Sequence, residues 1–104
     1  MTEKQIVNKL EIEWAIENGF FYEVRSRKFD LEKGKRVQEL LQNIEPLQSK
    51  KINKRLVQLL WYIPLFLEYQ KDTLKPVLED KNYIEYVRLV NGMQSEVERI
   101  LGYP

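Results

Sequence analysis

Apolar residues recur along this chain at the three-and-four spacing of amphipathic helices. Ile6, Leu10 and Trp14 share one face of a first segment, with Val7 beside them. Thr2 precedes Gln5 by three residues, a capping-box pair. Gly19 is a stop signal, because glycine takes left-handed geometry at a helix end at little cost. A helix over 3–18 is predicted. Ile12 and Ile16 fall on a different face of it, which implies burial on two sides.

Residues 20–29 break that rhythm. Phe20, Tyr22 and Val24 alternate with Phe21, Glu23 and Arg25, a weak period of two that would suit a strand. No second strand is available to pair with it. The favoured expectation is an extended linker or a short helix that plants its aromatics between neighbouring helices. The alternative is an α+β fold with a short strand or hairpin near 20–27.

Beyond Asp30, a good N-cap, helical spacing returns. Val37, Leu40, Leu41 and Ile44 mark a stripe that Pro46 ends. Gly34 lies inside this helix and weakens it by roughly 1 kcal/mol relative to alanine. A further helix is expected from near Ser49, with Ile52, Leu56, Leu59, Leu60 and Ile63 as its stripe. Pro64 lacks a backbone donor and should kink or break it. Leu65, Phe66, Leu67 and Tyr69 then form nearly continuous apolar sequence, which implies a central element covered on several sides. Lys75-Pro76 interrupts the pattern, and a short helix is expected over 76–80. The last helix is expected after Asn82, which has Glu85 three residues on. Ile84, Val87, Val90, Met93, Val97, Ile100 and Leu101 mark its buried face, and Gly102 and Pro104 end it. The prediction is an all-α fold. It is a compact bundle of four to five helices with a Pro-kinked central apolar helix, forming one helical domain over 1–104.

Composition narrows the chemistry. The chain has 104 residues, 43% hydrophobic and 32% charged, a balance that suits one folded core rather than disorder. It contains no cysteine and no histidine. Thiolate chemistry, disulfides and zinc–thiolate sites are excluded, and so is any catalysis that needs an imidazole. Glu13 and Glu17 lie one turn apart, near Glu11, and read as an ordinary solvated face. Tyr62, Tyr69, Tyr83 and Tyr86 read as interface tyrosines with the ring inward and the hydroxyl at the rim. Trp14 and Trp61 read as core anchors. No cofactor, metal site or enzymatic constellation is expected. The opening residues carry no apolar signal region. The most apolar run, LVQLLWYIPLFL from Leu56 to Leu67, is shorter than the roughly 20 residues of a membrane span. The expectation is a soluble, cytoplasmic protein.

Charge is segregated. Residues 1–24 carry a net −3, residues 25–55 a net +6 and residues 56–104 a net −2, which sum to the chain's +1. The basic block holds Arg25, Arg27, Lys28, Lys33, Lys35, Arg36, Lys50, Lys51, Lys54 and Arg55. We take Tyr22, Arg25, Arg27, Lys28, Lys35, Arg36, Lys50, Lys51, Lys54 and Arg55 as the candidate partner-binding residues. Such a block can steer an acidic protein surface into contact. It can also bind phosphates, with Phe21, Tyr22 or Phe29 stacking on bases. The pI of about 7.9 is below that of dedicated nucleic-acid domains. The expected function is therefore a small non-catalytic protein-binding module that occludes or regulates a partner protein, as toxin-immunity and antitoxin-type inhibitors do. An RNA- or DNA-binding regulator is the alternative. Whether the chain self-associates is left open by the sequence.

Overall fold

A computed structural model describes residues 1–47 and 53–102, and all regular structure among them is helical. The helices are α1 (Glu3–Ala15), α2 (Phe20–Arg25), α3 (Leu31–Gln42), α4 (Lys54–Leu74) and α5 (Asp80–Leu101). No strand occurs among the described residues, so the hairpin alternative near 20–27 is replaced by a six-residue helix. Phe20, Phe21 and Val24 explain the choice. In a helix they fall together on one face, and all three are buried. In a strand Phe20 and Phe21 would point to opposite faces.

Local caps start the helices. At α1, the Gln5 amide donates to the Thr2 hydroxyl at 3.2 Å, and the Thr2 amide donates to Gln5 Oε1 at 2.9 Å. At α3, the Asp30 carboxylate accepts from the Glu32 and Lys33 amides at 3.0 and 3.2 Å. At α4, Asn53 accepts from the Leu56 amide at 3.0 Å. The start expected near Ser49, and the stripe residue Ile52, lie outside the described residues.

Several boundaries differ in detail from expectation. α1 ends at Ala15, because Ile16 is already extended. Gly19 does not adopt left-handed geometry; it is the extended N-cap of α2. It is needed for closeness instead, since a Cβ there would lie 2.5 Å from the Glu13 carbonyl oxygen. α4 continues through Pro64 as one helix, so of the two expected outcomes there, a kink or a break, the break does not occur. No separate helix forms over 76–79, and Asp80 belongs to α5. Lys75 to Val77 make a turn in which the Val77 and Leu78 amides both donate to the Leu74 carbonyl at 3.0 Å. α5 then starts at Asp80, two residues before Asn82.

α4 and α5 pack along each other, α3 lies on α5, and α1 with α2 closes over α4. Leu56, Leu60, Ile63 and Leu67 of α4 meet Tyr86, Val90 and Met93 of α5 in one core. Gly34 sits at the α3–α5 contact, where a Cβ would come within 2.2 Å of a Leu89 methyl group. Its helix-weakening effect is thus exchanged for close packing. Tyr86 is fully buried and donates to the Leu67 carbonyl at 2.7 Å. Arg99 of α5 caps the end of α3, donating to the Leu41 and Ile44 carbonyls at 3.0 and 2.9 Å. A cation is favourable at the carbonyl end of a helix.

Exposure departs from the expected faces at several points. Ile12, Ile16 and Ile84 are each about half exposed, so α1 is not buried on two sides. Trp61 is 50% exposed and Tyr69 is 65% exposed, so Trp61 is not a core anchor and the second half of α4 is not covered all round. No described helix is long and apolar enough to cross a membrane.

Candidate protein-binding surface

The basic block is divided by the fold. One part is engaged with the acidic block of α1 and α2. Arg36 closes on Glu13 in a two-pronged pair, with Nη2 2.6 Å from Oε1 and Nε 2.8 Å from Oε2. Glu13 Oε1 also accepts from the Phe20 amide at 2.9 Å. Glu13 is therefore buried, not part of a solvated face. Its hydrogen bonds hold the Arg36 guanidinium above its ordinary range, against the opposing effect of burial. Lys33 meets Glu23 at 2.6 Å, and Arg55 meets Glu11 at 3.0 Å. Lys35 lies 4.0 Å from Glu32 on an exposed turn. Lys50 and Lys51 lie outside the described residues.

The other part gathers at the end of α2. Tyr22, Arg25, Arg27 and Lys28 are all exposed. Among the described residues none of these three cations is in an ion pair. Arg25 lies over two rings, 6.0 Å from the Trp14 centroid and 5.7 Å from that of Phe66. That contact fixes the side chain while its charge stays in water. Trp14 is itself held by Phe21, stacked at 4.2 Å, and by Phe66, edge-on at 4.8 Å. The helix ends in a tight reversal. The Arg27 amide donates to the Val24 carbonyl at 3.0 Å, and the Lys28 amide donates to the Glu23 carbonyl at 2.9 Å. This is the Schellman pattern, which places Arg27 at the position where glycine is usual. Arg27 accordingly has φ of 65°. Lys54 stands apart at the start of α4, exposed and outside any ion pair among the described residues.

Of the three aromatics expected to stack on bases, the fold leaves Tyr22 exposed, at 37%. Phe21 is fully buried and Phe29 packs against the core, 5.3 Å from Tyr86. Two features escaped the sequence reading. One is a cleft of about 520 Å³ between α1 and α3, walled by Ile12, Ile16 and Leu40 over the Glu13–Arg36 pair. The other is a strip on α4 made by Trp61, Tyr62, Leu65 and Tyr69. The spacing of these four along α4 makes them neighbours on the helix surface. It carried no information on whether another element covers them. Among the described residues no cluster of acidic side chains could hold a metal ion. No protein-family model, curated protein or solved structure matches this chain.

Proposed function

We propose that the chain is a small non-catalytic protein-binding module that occludes or regulates an acidic protein partner through Tyr22, Arg25, Arg27 and Lys28. One observation carries this reading. Among the described residues of the block, Arg36, Lys33 and Arg55 are engaged by Glu13, Glu23 and Glu11, and Lys35 lies near Glu32, whereas Arg25, Arg27 and Lys28 stand unpaired together on one tight corner, with Lys54 unpaired but apart from them. A tyrosine beside guanidinium groups is typical of binding hot spots. Arg25 rests on the Trp14 and Phe66 rings, so little of its side-chain freedom is lost when a partner docks.

Nucleic acid fits this corner less well. Three cations and one exposed tyrosine offer few phosphate contacts and a single stacking face. The Glu13–Arg36 pair in the cleft gives no support to an enzyme, because its two groups already satisfy each other.

The test is affinity capture from the cells that make the protein, with the natural chain and an R25E/R27E/K28E variant, each with and without nuclease. The reading requires a stoichiometric protein that the natural chain retains after nuclease and the variant does not. Capture of nuclease-sensitive material would give the corner to nucleic acid. Equal capture by both chains would remove the corner from the interface.

A further inference from the structure

The strip on α4 has an order that fits a second copy of the same chain. Its exposed residues are Lys54, Gln58, Trp61, Leu65, Glu68 and Asp72, spaced alternately four and three apart. That is the seam spacing of a coiled coil. It is cationic at its start, apolar in the middle and acidic at its end. Tyr62 and Tyr69 flank it on one side, both exposed. Among the described residues neither Lys54 nor Asp72 takes part in an ion pair.

We propose that the protein forms a symmetric dimer in which α4 packs antiparallel against α4 of a second copy. A twofold axis near residue 63 sets Lys54 opposite Asp72, Gln58 opposite Glu68 and Trp61 opposite Leu65, each pairing occurring twice. Every residue of the seam then meets a complement. A parallel pairing would set Lys54 against Lys54 and Asp72 against Asp72, which like charges oppose. The surface is also shaped for this. A shallow depression of about 560 Å³ is lined by Trp61, Pro64, Leu65, Glu68 and Gln94. It lies beside Leu65, where Trp61 of the second copy arrives. Self-complementarity of this kind is what an isologous interface requires.

The apolar part of the strip offers on the order of 350 Å² per copy, taking aromatic side chains at about 200 Å² each. That places the dimer at the small end of specific interfaces, so it is a weak one that depends on concentration. The proposal does not rest on the acidic-partner reading: its seam residues are different, although Tyr62 on its flank and Arg25 of the corner both rest on Trp14 and Phe66.

The experiment is sedimentation velocity on the full chain from about 1 μM to about 1 mM, a span that brackets weak association. The natural chain should pass from monomer to dimer. Trp61→Glu should remain monomeric while keeping its helical circular dichroism and cooperative melt. Lys54→Glu and Asp72→Lys should each weaken the dimer about tenfold, as exposed charge pairs counted twice imply. The double variant K54E/D72K should return it to within about threefold of the natural constant. A chain monomeric throughout overturns the proposal. So does a dimer indifferent to Trp61→Glu, or a charge exchange that fails to restore association.

Discussion

The Glu13 carboxylate accepts three hydrogen bonds, one from the Phe20 amide and two from Arg36. It thereby ties α1 to the first turn of α2 and to α3 at once. Glu13→Gln would keep the shape, remove the charge and replace one accepting oxygen by an amide nitrogen, which leaves at least one of the three donors without an acceptor. Hydrogen bonds to a charged group are worth more than neutral ones, so the loss should be about 2 kcal/mol in a urea titration. Arg55→Ala should cost under about 1 kcal/mol, because its pair with Glu11 is exposed at both ends. Arg27 shows the opposite balance. Its φ of 65° is unfavourable for a residue with a Cβ. Arg27→Gly should raise stability by about 1 kcal/mol, after allowing for the greater freedom of glycine in the unfolded chain. Tyr86 carries the pH dependence. Burial pushes its hydroxyl well up from the ordinary tyrosine value, with Tyr83 and Glu68 acting in the same direction. The folded chain therefore keeps that proton when the unfolded chain has released it. The stabilisation is complete below about pH 10 and is lost as pH rises beyond it, by up to about 1.4 kcal/mol per pH unit. Tyr86→Phe should start lower at pH 8, lacking the bond to Leu67, and then fall less steeply between pH 8 and about 11 in chemical-denaturation curves.

At the scale of the element, α4 is the informative case. Pro64 sits in the interior of a 21-residue helix and cannot donate to the Leu60 carbonyl. The helix continues because Leu56, Leu60, Ile63 and Leu67 bury a face that a break would misalign. Packing outweighs the local penalty, which is about 3 kcal/mol in an unsupported helix. Pro64→Ala restores the donor but loosens the unfolded chain by up to about 1 kcal/mol. The net expectation is a gain of about 1–2 kcal/mol, read as a higher midpoint in urea. The same helix shows where sequence reasoning reached its end. Caps such as Thr2 and Asp30 are local, made within three residues, and were legible. So were most of the buried positions of α3 and α5, Ile84 excepted. Burial of Glu13 was not, because its partner Arg36 is 23 residues away and only the fold brings them together. Nor was the exposure of Trp61, Tyr69, Ile12 and Ile16. Periodicity tells which residues share a face; the arrangement of the other helices decides whether that face is covered. The short helix α2 was ambiguous because Phe20, Phe21 and Val24 fit a helical face while their neighbours alternate.

For the molecule as a whole, the separation of charge has an internal use. The acidic block over 1–24 and the basic block over 25–55 meet across α1, α2, α3 and α4 through the pairs at Arg36, Lys33 and Arg55. Part of the +6 is thus neutralised within the fold, and among the described residues the unpaired cations gathered at one place are Arg25, Arg27 and Lys28. This sets a limit on phosphate binding that can be measured. Each cation that neutralises a duplex phosphate adds about −0.9 to the slope of log affinity against log salt. A surface built from the corner trio should give a slope of about −3, whereas all ten cations acting together would give about −9. Fluorescence anisotropy with a labelled random duplex at several salt concentrations distinguishes the two. A slope near −3 with weak affinity fits a corner whose charge is arranged for a protein surface. A slope near −9 would mean that the acidic helices release their partners to nucleic acid, and the division of the block described here would not hold in solution.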